Sequence, residues 1–203
     1  MKTLLLTSHS KESTYLAKLS KSNHWEYSSA RGYDYLVKRE EWSELLKRPY
    51  QAIEDLLPFY DNILLVGSDV LFTNFDKGVE DIVKDGDNII APSELPNSRT
   101  KLNMGVVIFC NTRATFDLIN LIHEKHDEWI NMPLIIQGWL DKNHELPVVK
   151  DTIRLVDGKV MNSTYKTRGN QNWKPGDWLV HFYGRKHTEK PTVMKEFIRH
   201  YLK

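Results

Sequence analysis

The sequence holds a single cysteine, Cys110, among 203 residues, so it can form no internal disulfide and nothing in it points to an oxidising compartment. Long apolar runs are also missing. The opening Met1-Lys2-Thr3-Leu4-Leu5-Leu6 offers three consecutive leucines, too few for a signal core, and no stretch approaches the roughly 18 apolar residues that a membrane helix needs. Charge of one sign is not in excess: 28 Lys and Arg against 27 Asp and Glu leave a net charge of +1, which argues against a nucleic-acid coat or a polybasic membrane binder. Without repeats, low-complexity tracts or a Pro/Gly/Ser linker, the chain is expected to be one domain, 1–203. That is long enough to bury roughly 70% of its unfolded surface without covalent staples. These absences together predict a cytoplasmic protein with no membrane span and no evident obligate protein partner.

What is present is an alternation of strand and helix signals. Leu4 to Thr7 reads as a first strand running into a polar Thr-Ser-His-Ser loop, and Ser13 suits the cap of a helix through about Ser20. Tyr33–Val37 reads as a strand, Glu40–Leu46 and Gln51–Leu57 as helices separated by Pro49, and Ile63–Val66 as a buried strand. Asn88–Ala91 and Gly105–Cys110 are further strands, Thr115–Trp129 and the shorter Leu134–Leu140 are helices, and Pro147–Val149, Ile153–Val156 and Trp178–Phe182 read as short strands before a terminal helix from about Val193. The pattern predicts an α/β fold with a mostly parallel central sheet flanked by helices, and some antiparallel strands in the C-terminal half.

The stretch Ile63-Leu64-Leu65-Val66-Gly67-Ser68-Asp69-Val70-Leu71-Phe72 carries the most information. An apolar strand stops at one carboxylate and resumes, and an uncompensated buried carboxylate costs several kcal/mol unless it is paired or bound to a cation. In open α/β sheets, ligands collect at the carboxyl ends of strands. Three other polar features sit beside apolar strands or helices: Asn103-Met104-Gly105, Gln137, and Asp177-Trp178-Leu179-Val180-His181-Phe182-Tyr183-Gly184 followed by Arg185, Lys186, His187 and Lys190. One carboxylate oxygen and one imidazole nitrogen, completed by diphosphate oxygens and water, suit Mn²⁺ or Mg²⁺. The cations after Gly184 could neutralise a departing diphosphate. Tryptophan and tyrosine gather in the second half, where their faces would suit sugar rings or, more simply, fill the core.

The order of these segments resembles the GT-A nucleotide-sugar glycosyltransferases, particularly the galactosyl/mannosyl/xylosyl transferase group, with a secondary likeness to glycogenin-type enzymes. Tyr27–Tyr35 is similar to that group's YA-x-x-hGY segment, and Trp42 with Lys47-Arg48-Pro49 stands ahead of the strand that leads to Asp69. Leu64–Thr73 resembles the LDADxLxxN motif and Asn103–Val106 the NxG strand. Met161-Asn162-Ser163 resembles the NSY turn, Trp178–Gly184 the terminal DFVVHFAG, and Gly184–Pro191 the HFxGxxKP ending. The resemblance implies one Rossmann-like domain with a nucleotide-binding half, 1–100, and an acceptor- and metal-completing half, 101–203. It implies that Asp69 and His181 ligate the metal and that Thr7 and Ser8 lie near the base or ribose. Ser68 and Gly184 would flank the bound donor, with Lys47 or Arg48 near the nucleotide or sugar. Asn103, Gly105 and Gln137 would line the sugar and acceptor pocket, and Lys186 and Lys190 would reach the leaving phosphates. Two positions depart from the pattern: the first acid of the metal motif is Gly67, and the acid that often precedes Gln137 is Ile136.

The implied reaction moves a hexose or pentose from a nucleotide diphosphate sugar to a hydroxyl on a glycan, lipid-linked sugar or modified nucleobase, with retention of anomeric configuration, in a bacterial or viral setting. Inversion would require a general base, for which Glu94, Asp141 and Asp177 are candidates. A nucleotide-sugar-binding protein that has lost turnover is the second reading. A small sugar nucleotidyltransferase is the third, disfavoured because Thr7-Ser8-His9-Ser10 stands where a glycine-rich phosphate loop would follow the first strand.

Overall fold

The computed structural model describes residues 1–39, 46–48, 50–94, 98, 100–166 and 172–202. Among these, six strands form the central sheet in the order β2-β1-β3-β6-β5-β7: β1 Thr3–His9, β2 Asp34–Arg39, β3 Asn62–Gly67, β5 Ile89–Pro92, β6 Val106–Cys110 and β7 Ile153–Val156. β6 runs antiparallel to both β3 and β5, and the other neighbouring pairs are parallel. A second sheet of two antiparallel strands, β4 Val70–Phe72 and β8 Leu179–His181, lies outside it.

Alternation along the strands explains why both faces of the sheet are covered. Leu4, Leu6 and Ile63 join one apolar cluster with Trp129 and Trp139, while Leu5, Leu64 and Val66 join another with Tyr27, Phe72 and Trp178. The first face is closed by α3 Arg113–Glu124, capped by the Thr112 hydroxyl, and by α4 His126–Trp129 and α5 Ile135–Lys142. On the other side lies α1 Thr14–Arg31, ended by Gly32 in the left-handed conformation, where a side chain would be strained. The terminal helix α8, Lys190–Tyr201, seals a third cluster through Met194 and Phe197 against Leu16, Leu71 and Phe182. Trp129, Trp139 and Trp178 are fully buried, so the structural role holds for them and their faces are closed to sugar rings. No helix among the described residues is long and apolar enough to cross a membrane.

Several boundaries differ from the sequence expectation. The strand expected at Pro147–Val149 is a helical turn, α6 Pro147–Lys150, because Pro147 occupies the first helical turn, where its missing N–H costs nothing. The first helix does not stop near Ser20 but runs to Arg31, and Ser13 makes no side-chain capping bond. Its buried side includes Ser20, His24 and Ser28, polar residues that weaken an apolar periodicity. The long helix expected over Thr115–Trp129 breaks at Lys125, and the terminal helix begins three positions early, at Lys190. The helix expected over Glu40–Leu46 falls almost wholly outside the described residues.

Candidate active site

The end of β3 is fastened to β6 by a hydrogen bond from the Gly67 N–H to the Gly105 carbonyl (2.8 Å), and the chain then turns through Ser68 and Asp69 into β4. The β4–β8 ladder sets Val70 opposite His181, and the Phe182 N–H donates to the Asp69 carbonyl at 2.9 Å. This register brings together an aspartate and a histidine far apart in sequence: Asp69 Oδ1 lies 3.3 Å from His181 Nε2. The other oxygen, Asp69 Oδ2, accepts from Lys190 Nζ at 2.5 Å, because the first residue of α8 points back across the turn. Burial alone would raise the Asp69 carboxyl, but the His181 imidazole and the Lys190 ammonium outweigh it and hold the group below its ordinary value.

His181 Nδ1 lies 2.7 Å from Asn162 Oδ1. An amide oxygen only accepts, so Nδ1 donates to it and Nε2 is the ring nitrogen turned toward Asp69 Oδ1. Across that 3.3 Å gap a proton on Nε2 serves the Asp69 carboxylate, and a cation could take the proton's place. That donor set, one carboxylate and one imidazole oriented by an amide, suits a divalent cation that takes its remaining ligands from phosphate oxygens and water. Among the described residues no group of three or more His, Cys, Asp or Glu could hold a metal by itself.

Two cavities flank this cluster and share Asp69 and Lys190. One, of about 310 Å³, lies at the end of β1 and is lined by Ser8, Ser10, Ser68 and His187. The other, of about 440 Å³, is lined by Glu94, Asn103, His181, Tyr183 and Gly184. Ser8 and Ser68 thus border the first cavity, and Asn103, Gly105, Gln137 and Gly184 the second. Gln137 reaches its cavity as a brace: its Oε1 accepts from the Met104 N–H at 3.1 Å and its Nε2 donates to Thr100 Oγ1 at 2.9 Å. Asp141 accepts from the Lys101 N–H and lines neither cavity. Lys47, Arg48 and Lys186 line neither cavity, and Arg48 pairs with Glu54 at 3.3 Å. Thr7 is buried, and its hydroxyl donates to His24 Nδ1 at 2.8 Å, which commits it to the interior. Asp177 binds Lys159 Nζ, the Ser163 hydroxyl and the Lys174 N–H.

Sequence reasoning gave no role to His24 or Asn23. Asn23 clasps Phe72 twice, Nδ2 donating to its carbonyl (2.9 Å) and Oδ1 accepting its N–H (2.8 Å), while His24 Nε2 donates to the Val70 carbonyl (2.8 Å). The helix thereby holds the strand that carries the Asp69 turn. Two polar residues in mid-helix were the available signal.

Gly105 is required by close approach. A Cβ built there would collide with His181 Cε1 and sit 3.0 Å from His181 Nε2. Gly105→Ala is therefore expected to displace the imidazole and to cut any activity of the site by roughly a hundredfold or more while leaving the circular dichroism of the fold unchanged.

No protein-family model matches the sequence, and no curated protein matches it. Solved structures do. A glycosyltransferase involved in the glycosylation of the major capsid of PBCV-1 superposes with a TM-score of 0.75 at 18% identity, over 97% of this chain and 100% of that one. The glycosyltransferase GlyE of Streptococcus pneumoniae TIGR4 gives 0.62 at 13% identity, over 98% of this chain and 64% of its own. The galactosyltransferase LgtC, solved in complex with donor and acceptor sugar analogues, gives 0.58 at 10% identity, over 95% of each chain. The chain has a GT-A-like fold. In it, Asp69 and His181 sit at the carboxyl end of β3, the edge at which open α/β sheets bind ligands.

Proposed function

We propose that this protein is a glycosyltransferase that moves a hexose or pentose from a nucleotide diphosphate sugar to an acceptor hydroxyl with retention of configuration. The observation that carries the reading is the pair of cavities meeting at Asp69 and Lys190 within a GT-A-like fold. A donor spanning them has its nucleotide beside Ser8 and Ser68, its diphosphate at Asp69 and Lys190, and its sugar toward Asn103 and Gly184. Asp69 and His181 would hold Mn²⁺ or Mg²⁺, which when bound supplies positive charge to the diphosphate oxygens. Lys190, released from Asp69, adds its ammonium to the same leaving group as the glycosidic bond loosens. Asn162 keeps His181 Nε2 directed at the site. Residues 1–100 supply Ser8, Ser68 and Asp69, and residues 101–203 supply His181 and Lys190, so one domain built from both halves makes the site.

Incubation with a panel of nucleotide sugars and Mn²⁺, followed by chromatography of the released nucleotide, tests the reading. At least one donor is expected to be hydrolysed or transferred, and the absence of turnover with every donor and acceptor would leave a nucleotide-sugar-binding role. Gly67 favours that second role: a Cβ there would lie 2.8 Å from Asp69 Oδ1, so any side chain at this position would project onto the cluster, and this chain places none there.

Lys190 also sets an order of binding. Its ammonium occupies Asp69 Oδ2, so Mn²⁺ alone must displace it, whereas a diphosphate draws it away. Calorimetry is expected to show Mn²⁺ affinity rising by about tenfold or more when a nucleoside diphosphate is present.

A further inference from the structure

Resting on the transferase reading, we infer that the larger cavity receives a neutral, hydroxylated acceptor and that Glu94 is the residue that holds its attacking hydroxyl. Three carboxylates stood open as candidates for contact with the acceptor, and the structure separates them. Asp177 is bound by Lys159, Ser163 and the Lys174 N–H, and Asp141 by the Lys101 N–H, and neither lines the cavity. Among the described residues the cavity is lined by two carboxylates, Asp69 and Glu94. Asp69 is engaged by His181 and Lys190, which leaves Glu94.

Glu94 is held firmly. Beyond β5 the chain continues as a bridge between Ser93 and Leu102, and the Glu94 N–H donates to the Lys101 carbonyl at 2.8 Å. Its Oε1 accepts from Asn103 Nδ2 at 2.5 Å, and Asn103 is itself set by accepting the Gly105 N–H at 2.8 Å. The Tyr183 hydroxyl meets the same carboxylate as a donor. A carboxylate offers about four acceptor positions, of which, among the described residues, Asn103 and Tyr183 use two. The remainder can accept from a substrate O–H in a wall that already contains His181 and Lys190. A charge-assisted bond of this kind fixes the hydroxyl oxygen, and as the sugar carbon parts from the diphosphate oxygen and bonds to it, the hydroxyl proton passes to Glu94. Two acids in one cavity disfavour an anionic acceptor at this position. Glu94 also stands in a chain where Ile136 supplies no carboxylate from α5.

The test separates transfer from donor binding. Wild type and Glu94→Gln are compared with UDP-glucose, UDP-galactose and GDP-mannose plus Mn²⁺, once with water alone and once with methyl glycosides of glucose, galactose and mannose or with glycerol as acceptors. Glu94→Gln retains the size of the side chain and an oxygen for Asn103. Affinity for UDP with Mn²⁺, measured by calorimetry and reporting the fold as well, is expected to stay within about twofold of wild type, while transfer falls roughly fiftyfold with a raised acceptor KM. Tyr183→Phe is expected to shift the acceptor KM in the same direction by a smaller factor. Equal loss of UDP affinity and transfer, or transfer unchanged in Glu94→Gln, overturns the role of Glu94 and leaves the transferase reading standing. If wild type neither hydrolyses nor transfers any of these donors, the transferase reading fails and takes the inference with it.

Discussion

Asp69→Asn is expected to lower turnover of the nucleotide sugar by roughly a thousandfold or more. The substitution keeps the shape of the side chain and removes the charge that everything in the cluster answers. His181 and Lys190 both address this carboxylate, at 3.3 and 2.5 Å, and among the described residues no group of three or more His, Cys, Asp or Glu offers a metal another place. An amide in its place binds a hard divalent cation far more weakly. It also leaves the Lys190 ammonium without its counter-charge, although the adjoining cavities give that side chain a route to water. Loss of activity should therefore exceed loss of stability: steady-state kinetics shows a collapse in kcat while the thermal midpoint moves by only a few degrees, of order 1 kcal/mol. His181→Ala is expected to act in the same direction.

Acid should destabilise the fold well before carboxylates protonate. His24 is fully buried between Thr7 and Val70, edge-on to Phe72 and Tyr35, and burial pushes its imidazole down to about 4 against the opposing pull of the Val70 carbonyl. In the unfolded chain the same group titrates near 6.5. Between these values the unfolded state binds the extra proton, so stability is complete above about pH 6.5 and falls as the pH drops, by about 3 kcal/mol on reaching pH 4. The Asp69 carboxyl, held low, extends the loss below its unfolded value. Urea denaturation at pH 7 and pH 4.5 measures the difference, and His24→Gln should flatten much of the slope between them. Equal slopes in the two proteins would place the acid sensitivity elsewhere.

Strand β3 and the Asp69 turn could be read from sequence because apolar runs that end in a single acid have few uses. His181 stood out for the same reason, as an imidazole inside Leu-Val-His-Phe. Their meeting was implied by family resemblance, and the physical cause, the antiparallel β4–β8 register, rests on pairing between segments remote in sequence that composition does not encode. The reversed direction of β6 was hidden likewise: Val-Val-Ile-Phe looks the same in either orientation. α1 was read short because its inner side carries Ser20, His24 and Ser28, whose hydrogen bonds substitute for apolar contact. Thr7 looked like a ligand contact at a strand end, yet its side chain turns inward to His24. Gln137 likewise looked like a contact, and its amide is committed to the backbone of Met104 and the hydroxyl of Thr100.

Crystals of the protein soaked with Mn²⁺ and a nucleoside diphosphate, with diffraction recorded at the manganese absorption edge, examine the cluster without relying on turnover. One anomalous peak is expected within about 2.5 Å of an Asp69 carboxylate oxygen and His181 Nε2, bridging to phosphate oxygens, with Lys190 moved off Asp69 onto the diphosphate. A peak remote from both side chains, or a bound diphosphate lying away from Asp69 and Lys190, would contradict the assignment of this cluster as the donor site.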